Sequence, residues 1–218
     1  MKKVSLFVLA ASFTLVACNA PEGDKAVTTD TQDVAQATGV EFAVDTTSSL
    51  VWTGSKPTGS HTGNLMIKDG MLTVTGEAVS AGSFTIDINS LTNHDLSEDD
   101  GKSKLIGHLK SADFFDVEKY PTAKFEITGV TPHTADSTAV LKDANFLISG
   151  NLQLKDSIKN VTFPAKITME GNTLKATADF NIDRTQWGMN YKGPNNPQDW
   201  VISKEVNLKV NVNASKKG

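Results

Sequence analysis

From Phe42 onward the chain alternates apolar and polar residues in run after run. In GSFTIDI, Phe84, Ile86 and Ile88 share one face, and Thr85 and Asp87 share the other. NFLISGNLQL places Phe146, Ile148, Gly150, Leu152 and Leu154 together, and NVTFPAKITM does the same with Val161, Phe163, Ala165, Ile167 and Met169. NTLKATADFNI contributes Leu174, Ala176, Ala178, Phe180 and Ile182, and KEVNLKVNV contributes Val206, Leu208, Val210 and Val212. A period of two marks strands with one dry and one wet face. Short turn signals, KDG at Lys68–Gly70 and EGN at Glu170–Asn172, favour antiparallel hairpins between them.

About eight such strands with almost no helix between them predict an all-β fold, either a sandwich or a closed up-and-down barrel. Closure removes the edge strands, and eight strands are about enough to enclose one small ligand. Small residues on the dry faces, Gly82, Gly150, Ala165, Ala176 and Ala178, read either as internal volume or as packing corners. One interruption predicts a short helix: in DDGKSKLIGHLKSADFF, Leu105, Leu109 and Ala112 fall on one stripe. It can cap an open end of the barrel. Just after it, Phe114 and Phe115 sit among Asp113, Asp116, Glu118 and Lys119, so the pair must fold onto something apolar. Tyr120 before Pro121 is biased to extended backbone, which restarts the sheet at TAKFEI.

The N-terminus is different in kind. Lys2 and Lys3 precede an apolar run from Val4 to Val16, the layout of an export signal and too short to span a bilayer as a mature helix. The run ends on Leu15-Val16-Ala17-Cys18, which resembles a bacterial lipobox. Cys18 is the only cysteine of the 218 residues, so it has no internal disulfide partner, and acylation gives it a role. Residues 1–17 are therefore expected to be a lipoprotein signal peptide, and residues 18–40, polar and without aromatics, a flexible tether reaching about 25 Å. By the same resemblance, Asn19 in place of an aspartate favours the outer membrane, facing the periplasm. The remaining 41–214 form one domain, in keeping with 39% hydrophobic and 21% charged residues.

The formal charge of −4 becomes −6 when Lys2 and Lys3 leave with the signal, which argues against a nucleic-acid partner. The acidic stretch from Asp95 fails as a calcium loop, because its sixth residue is Asp100 rather than Gly and its twelfth is Ile106 rather than Glu. His61, His94, His108 and His133 are scattered without metal-ligand spacing. There is no nucleophile elbow, phosphate loop or dinucleotide fingerprint, and Ser60 beside His61 would point to the opposite face of a strand. These observations give no catalytic residue, no metal and no cofactor, and a homodimer is compatible with them.

The ordered motifs VWTGSKPTGSHTGNLMIKDG, GSFTIDINSLTNHDL, KLIGHLKSADFFDVEKYPTAKFEI, ISGNLQLKDSIKNVTFPAKI and FNIDRTQWGM resemble the YceI family from about Phe42 to Val212. The central block, with His108-Leu109, Asp113-Phe114-Phe115 and Tyr120-Pro121, is the most specific part. The resemblance implies an eight-stranded antiparallel lipocalin-like barrel whose apolar pore takes a polyisoprenoid or quinone-type lipid. It implies ligand contacts from Phe84, Ile86, Phe125, Phe146 and Phe163 on the dry faces and from His108, Phe114 and Phe115 at a lid. Trp52, His61 and Trp187 complete the expected set. Pro57 after Lys56, and Ile106-Gly107 before the His-Leu pair, depart from the family pattern, so polar head-group contacts are not implied there. Arg184 is expected to pair with a carboxylate. The implied protein is a membrane-anchored lipid carrier; the alternative is a periplasmic enzyme or metal-dependent stress protein using the same barrel.

Overall fold

The computed structural model describes residues 21–36, 38–193 and 202–218. The expected signal peptide and Cys18 lie outside the described residues. The strands are β1 (Asp24–Lys25), β2 (Val27–Thr29), β3 (Val40–Val44), β4 (Ser49–Lys56), β5 (Gly59–Thr75) and β6 (Ala78–Asp87), followed after helix α1 (Lys102–Lys110) by β7 (Thr122–Pro132), β8 (Phe146–Leu154), β9 (Ser157–Glu170), β10 (Thr173–Asp183) and β11 (Glu205–Lys216).

β3 and β4 are two halves of one strand, since each pairs with β11 on one side and β5 on the other. At the break, the Ser48 hydroxyl stands in for the ladder: it accepts from Asn213 N–H at 3.0 Å and donates to Asn213 C=O at 3.1 Å. Counted this way, eight strands follow each other antiparallel around a ring that closes from β11 back to β4. This is the closed barrel, one of the two all-β folds the alternation allows and the one the family resemblance implies. The EGN turn forms as expected, with Gly171 at φ +60°, a conformation that costs glycine nothing. The KDG signal does not make a turn. Lys68–Gly70 lies inside β5, where the register against β6 shifts between Ile67 and Asp69. One long strand must bend to serve β4 at its start and β3 at its end, and a bulge supplies that bend.

The ring is only half closed by its own last seam. β9 and β10 pair from the Glu170–Thr173 end as far as Ala165 and Ala178, then part. Ala165 and Ile167 bond toward β8 and its flank, so by alternation Pro164 faces β10, and it has no N–H to offer there. The N-terminal segment fills the slot. β1 runs parallel to β10 at Phe180 and Asn181, and β2 runs antiparallel to β9 at Asn160–Thr162. Ala26, between them, is buried in the core cluster.

Buried asparagines on the outer wall hold this strap. Asn151 receives Gln32 N–H at 3.1 Å and donates to Gln32 C=O at 2.7 Å, and Asn181 donates to the Pro21 carbonyl at 2.7 Å. Ala35 N–H then bonds Ile127 C=O at 2.9 Å, outside the sheet. The expected flexible tether of residues 18–40 is thus corrected over 21–36. Its polar residues form no core of their own, but they complete the barrel's hydrogen bonding, which composition does not reveal.

α1 follows the predicted helix but ends at Lys110. The Ser111 hydroxyl donates to His108 C=O at 2.8 Å and turns the chain, leaving Ala112 exposed beyond the helix. Leu105 and Leu109 pack against the core from one open end of the barrel.

Candidate functional site

The barrel encloses two joined chambers. The deep one, about 120 Å³, is lined by apolar side chains from all around the ring, with Thr177 the one polar exception. The outer one, about 390 Å³, opens under α1. Leu50, Ile86, Leu152 and Leu208 line both, so the two chambers adjoin along the barrel interior.

The deep chamber receives Phe84, Ile86, Phe125 and Phe163, as the alternation predicts. The Phe125 ring lies 6.3 Å from that of Phe84 and 5.8 Å from that of Phe163, centroid to centroid. Ala165, Ala176 and Ala178 leave volume here. Gly150 and Gly82 do not: a Cβ on Gly150 would run into the Phe125 ring, and one on Gly82 would meet Leu72. They are packing corners, where a side chain of the next strand, diagonal to Gly150 and directly opposite Gly82, covers the missing one.

Trp52, His61, His108, Phe114 and Phe115 line the outer chamber. The tight turn after α1 makes this possible, with Phe114 N–H on Ser111 C=O and Phe115 N–H on Leu109 C=O, both at 3.1 Å. Asp116 closes that turn at φ +49°. The phenylalanine pair therefore faces core and cavity together. Phe146 and Trp187 line neither chamber. Phe146 sits at the far end of β8 opposite Ala165. Trp187 is 0% exposed and donates its indole N–H to Leu152 C=O at 2.9 Å, a structural anchor rather than a ligand contact.

The two histidines of the mouth are engaged with protein, whereas the Trp52 indole N–H, on the same chamber wall, is buried without a hydrogen-bond partner. His61 Nδ1 donates to Asp95 Oδ2 at 2.7 Å, and His108 Nε2 donates to Asp113 Oδ2 at 2.9 Å. The His108 ring also meets Phe114 and Tyr191 edge-on, with centroids 5.2 and 4.7 Å away. Burial pushes the Asp95 carboxyl up, but hydrogen bonds from Thr62 N–H, His61 and Asn93 outweigh it and hold the group below the ordinary carboxylate value.

Arg184 is corrected. It is buried, and its guanidinium donates to the backbone carbonyls of Ser203, Met189, Tyr191 and Ile202 instead of a carboxylate. Desolvation lowers its pKa, partly opposed by the charge of Asp183. The planar fork of an arginine suits this task of gathering carbonyls from two chain segments. Tyr191 and Met189, which the sequence reading missed, enter the mouth through that gathering. They lie in a stretch without periodicity, so no pattern marks them.

Among the described residues no group of three or more His, Cys, Asp or Glu could hold a metal ion, and no helix is long and apolar enough to cross a membrane. Adjoining apolar chambers with a polar rim can hold an elongated apolar molecule.

Comparison with known proteins agrees with this geometry. A family model described as YceI-like domain matches residues 42–214. A UPF0312 protein of Pseudomonas paraeruginosa is 38% identical over 104 residues, 48% of this chain and 47% of that protein. Protein YceI of Escherichia coli is 33% identical over 105 residues, with the same shares. The chain thus matches less than half the length of these curated relatives. Among solved structures, BcnA of Burkholderia cenocepacia superposes with a TM-score of 0.60 at 19% identity, covering 79% of this chain and 99% of that one. A polyisoprenoid binding domain from Saccharophagus degradans, implicated in plant cell wall breakdown, gives 0.60 at 17%, covering 82% and 99%. At these identities the likeness is one of fold.

Proposed function

The chain belongs to the YceI family, and from that premise we propose that it is a membrane-anchored binding protein holding one long apolar lipid, polyisoprenoid or quinone-type, inside its barrel. The observation that carries this reading is the pair of adjoining chambers inside the barrel, apolar at the base and opening beneath α1. The Saccharophagus degradans neighbour, described as polyisoprenoid binding, supports the class of cargo. Each CH₂ withdrawn from water contributes about 0.8 kcal/mol, so a long tail binds without a strong head-group site. Acylation of Cys18, with palmitate among the chains, supplies the anchor in this reading, and more than one chain holds a protein stably.

A second reading, catalysis at the mouth, draws on one observation: Asp95 orients His61 as it would a general base. Native mass spectrometry of the chain purified without its signal separates the two. The expected result is one apolar lipid per barrel. An empty barrel with a hydrolytic activity that Asp95→Asn abolishes would overturn the carrier. The anchor is checked by Cys18→Ser, which should move the protein from the membrane to the soluble fraction.

A further inference from the structure

The strap does more than fill a slot, because of where it begins. Pro21 and Glu22 cross the outer wall in a shallow groove shared with Ser55, Lys56, Ser60 and Asn207. Ser55 and Lys56 also line the outer chamber. The chain therefore arrives at the mouth half of the barrel, not at the opposite end.

The arrival point is fixed by buried polar contacts. Asn181 donates to Pro21 C=O at 2.7 Å, and its Oδ1 accepts from Asn207 Nδ2 at 3.1 Å. Gly23 lies flat on this pair, and a Cβ there would collide with both side chains. Cys18 is three residues before Pro21. Three residues span at most about 10 Å. The turn at Gly171, at the other end of β10, lies about 33 Å along the strand, or about 25 Å along the barrel axis at a usual tilt.

We propose that the surface around the mouth and the β4–β5 hairpin is a bilayer-docking face, and that the acylated chain sits mouth toward the phospholipid surface holding its anchor. A free tether of 23 residues would let the barrel tumble; a leash of three residues does not. Exposed Lys56 at the hairpin and half-buried Lys192 at the mouth, its ammonium 5.7 Å from the Tyr191 ring centroid, present cationic groups to lipid phosphates. Cargo then passes between membrane and barrel without its tail crossing water. This rests on acylation of Cys18.

The test uses the acylated chain recovered from membranes and reconstituted in vesicles of phosphatidylcholine and phosphatidylglycerol. Acylation consumes the single native thiol, so Thr58→Cys at the hairpin and Asn172→Cys at the opposite end each carry one environment-sensitive fluorophore. Nitroxide-bearing lipids should quench the Thr58 label at least threefold more than the Asn172 label. Inserting twelve Gly/Ser residues between Ala20 and Pro21 keeps every strap contact, adds a leash of about 19 Å, and should abolish most of that contrast. Equal quenching at both ends overturns the docking face. Recovery of an unacylated, soluble chain overturns it together with the anchor. Strong contrast around an empty barrel supports docking and counts against the cargo alone.

Discussion

Phe163 and Phe180 stack face to face across the parting of β9 and β10, with centroids 3.9 Å apart and planes within 4°. The last ladder pair before the parting is Ala165 with Ala178. The rings are the next inward residues on each strand, and both line the deep chamber. The seam is thus closed by aromatic stacking inside and by the strap outside.

Truncating either ring should therefore cost more than its own contacts. Phe163→Ala and Phe180→Ala are each expected to destabilise by about 3–5 kcal/mol. The double variant should fall short of the sum by about 1 kcal/mol, because each single change already destroys the stack. Urea denaturation of the four proteins completes the cycle. Additive losses would show that the rings contribute only separate burial.

The strap yields a prediction about exchange. Asn151 bonds Gln32 twice and also accepts from Asn160 Nδ2 at 3.1 Å. Asn151→Ala strands those partners, at about 1–3 kcal/mol. The amides of Gln32 and Ala35 should then exchange with solvent much faster, while those at the β9–β10 turn stay protected. Unchanged protection at Gln32 would mean that β2 holds the strap without Asn151.

The strands were legible because the dry face repeats every second residue, and that repeat placed Phe84, Phe125 and Phe163 in the cavity. The helix and the Phe114–Phe115 pair were legible for a similar reason, as apolar residues that charges could not accompany inward. Asn151, Asn160, Asn181 and Asn207 read as ordinary wet-face residues. What buries them is a segment more than a hundred residues away in sequence, and periodicity carries no such information. Trp187 misled because its apolar bulk fits a ligand site or a core equally well. Only the bond to Leu152 decides it. Gly150 stayed open between void and packing corner because the residue that covers it, Phe125, is on another strand.

Acid should weaken the mouth through Asp95. Its folded carboxyl titrates below the ordinary value of about 3.9, so the stability it adds is complete above that value and is lost as pH falls through the lower, folded one. Asp95→Asn removes the charge and with it this dependence. The melting-temperature gap between wild type and variant, measured at pH 5, should narrow as the pH is lowered through 4 to 3. A gap that widens over the same interval would contradict the assignment.

The two kinds of small residue on the dry face should answer differently to enlargement. Ala176 borders open volume in the deep chamber, while the space above Gly150 is already taken by Phe125. Gly150→Ala is therefore expected to destabilise the protein by about 1–3 kcal/mol, as overpacking does. Phe125→Leu should recover part of that loss by withdrawing the ring. Ala176→Phe should leave the melting temperature of delipidated protein nearly unchanged, because the new ring enters a void. It should also lower the amount of lipid that co-purifies, since ring and cargo compete for one chamber. The deciding comparison is the delipidated stability of Ala176→Phe against that of Gly150→Ala. If both fall together, the deep chamber is a rigid core with no place for a lipid tail; if only the glycine variant falls, the chamber has room for cargo.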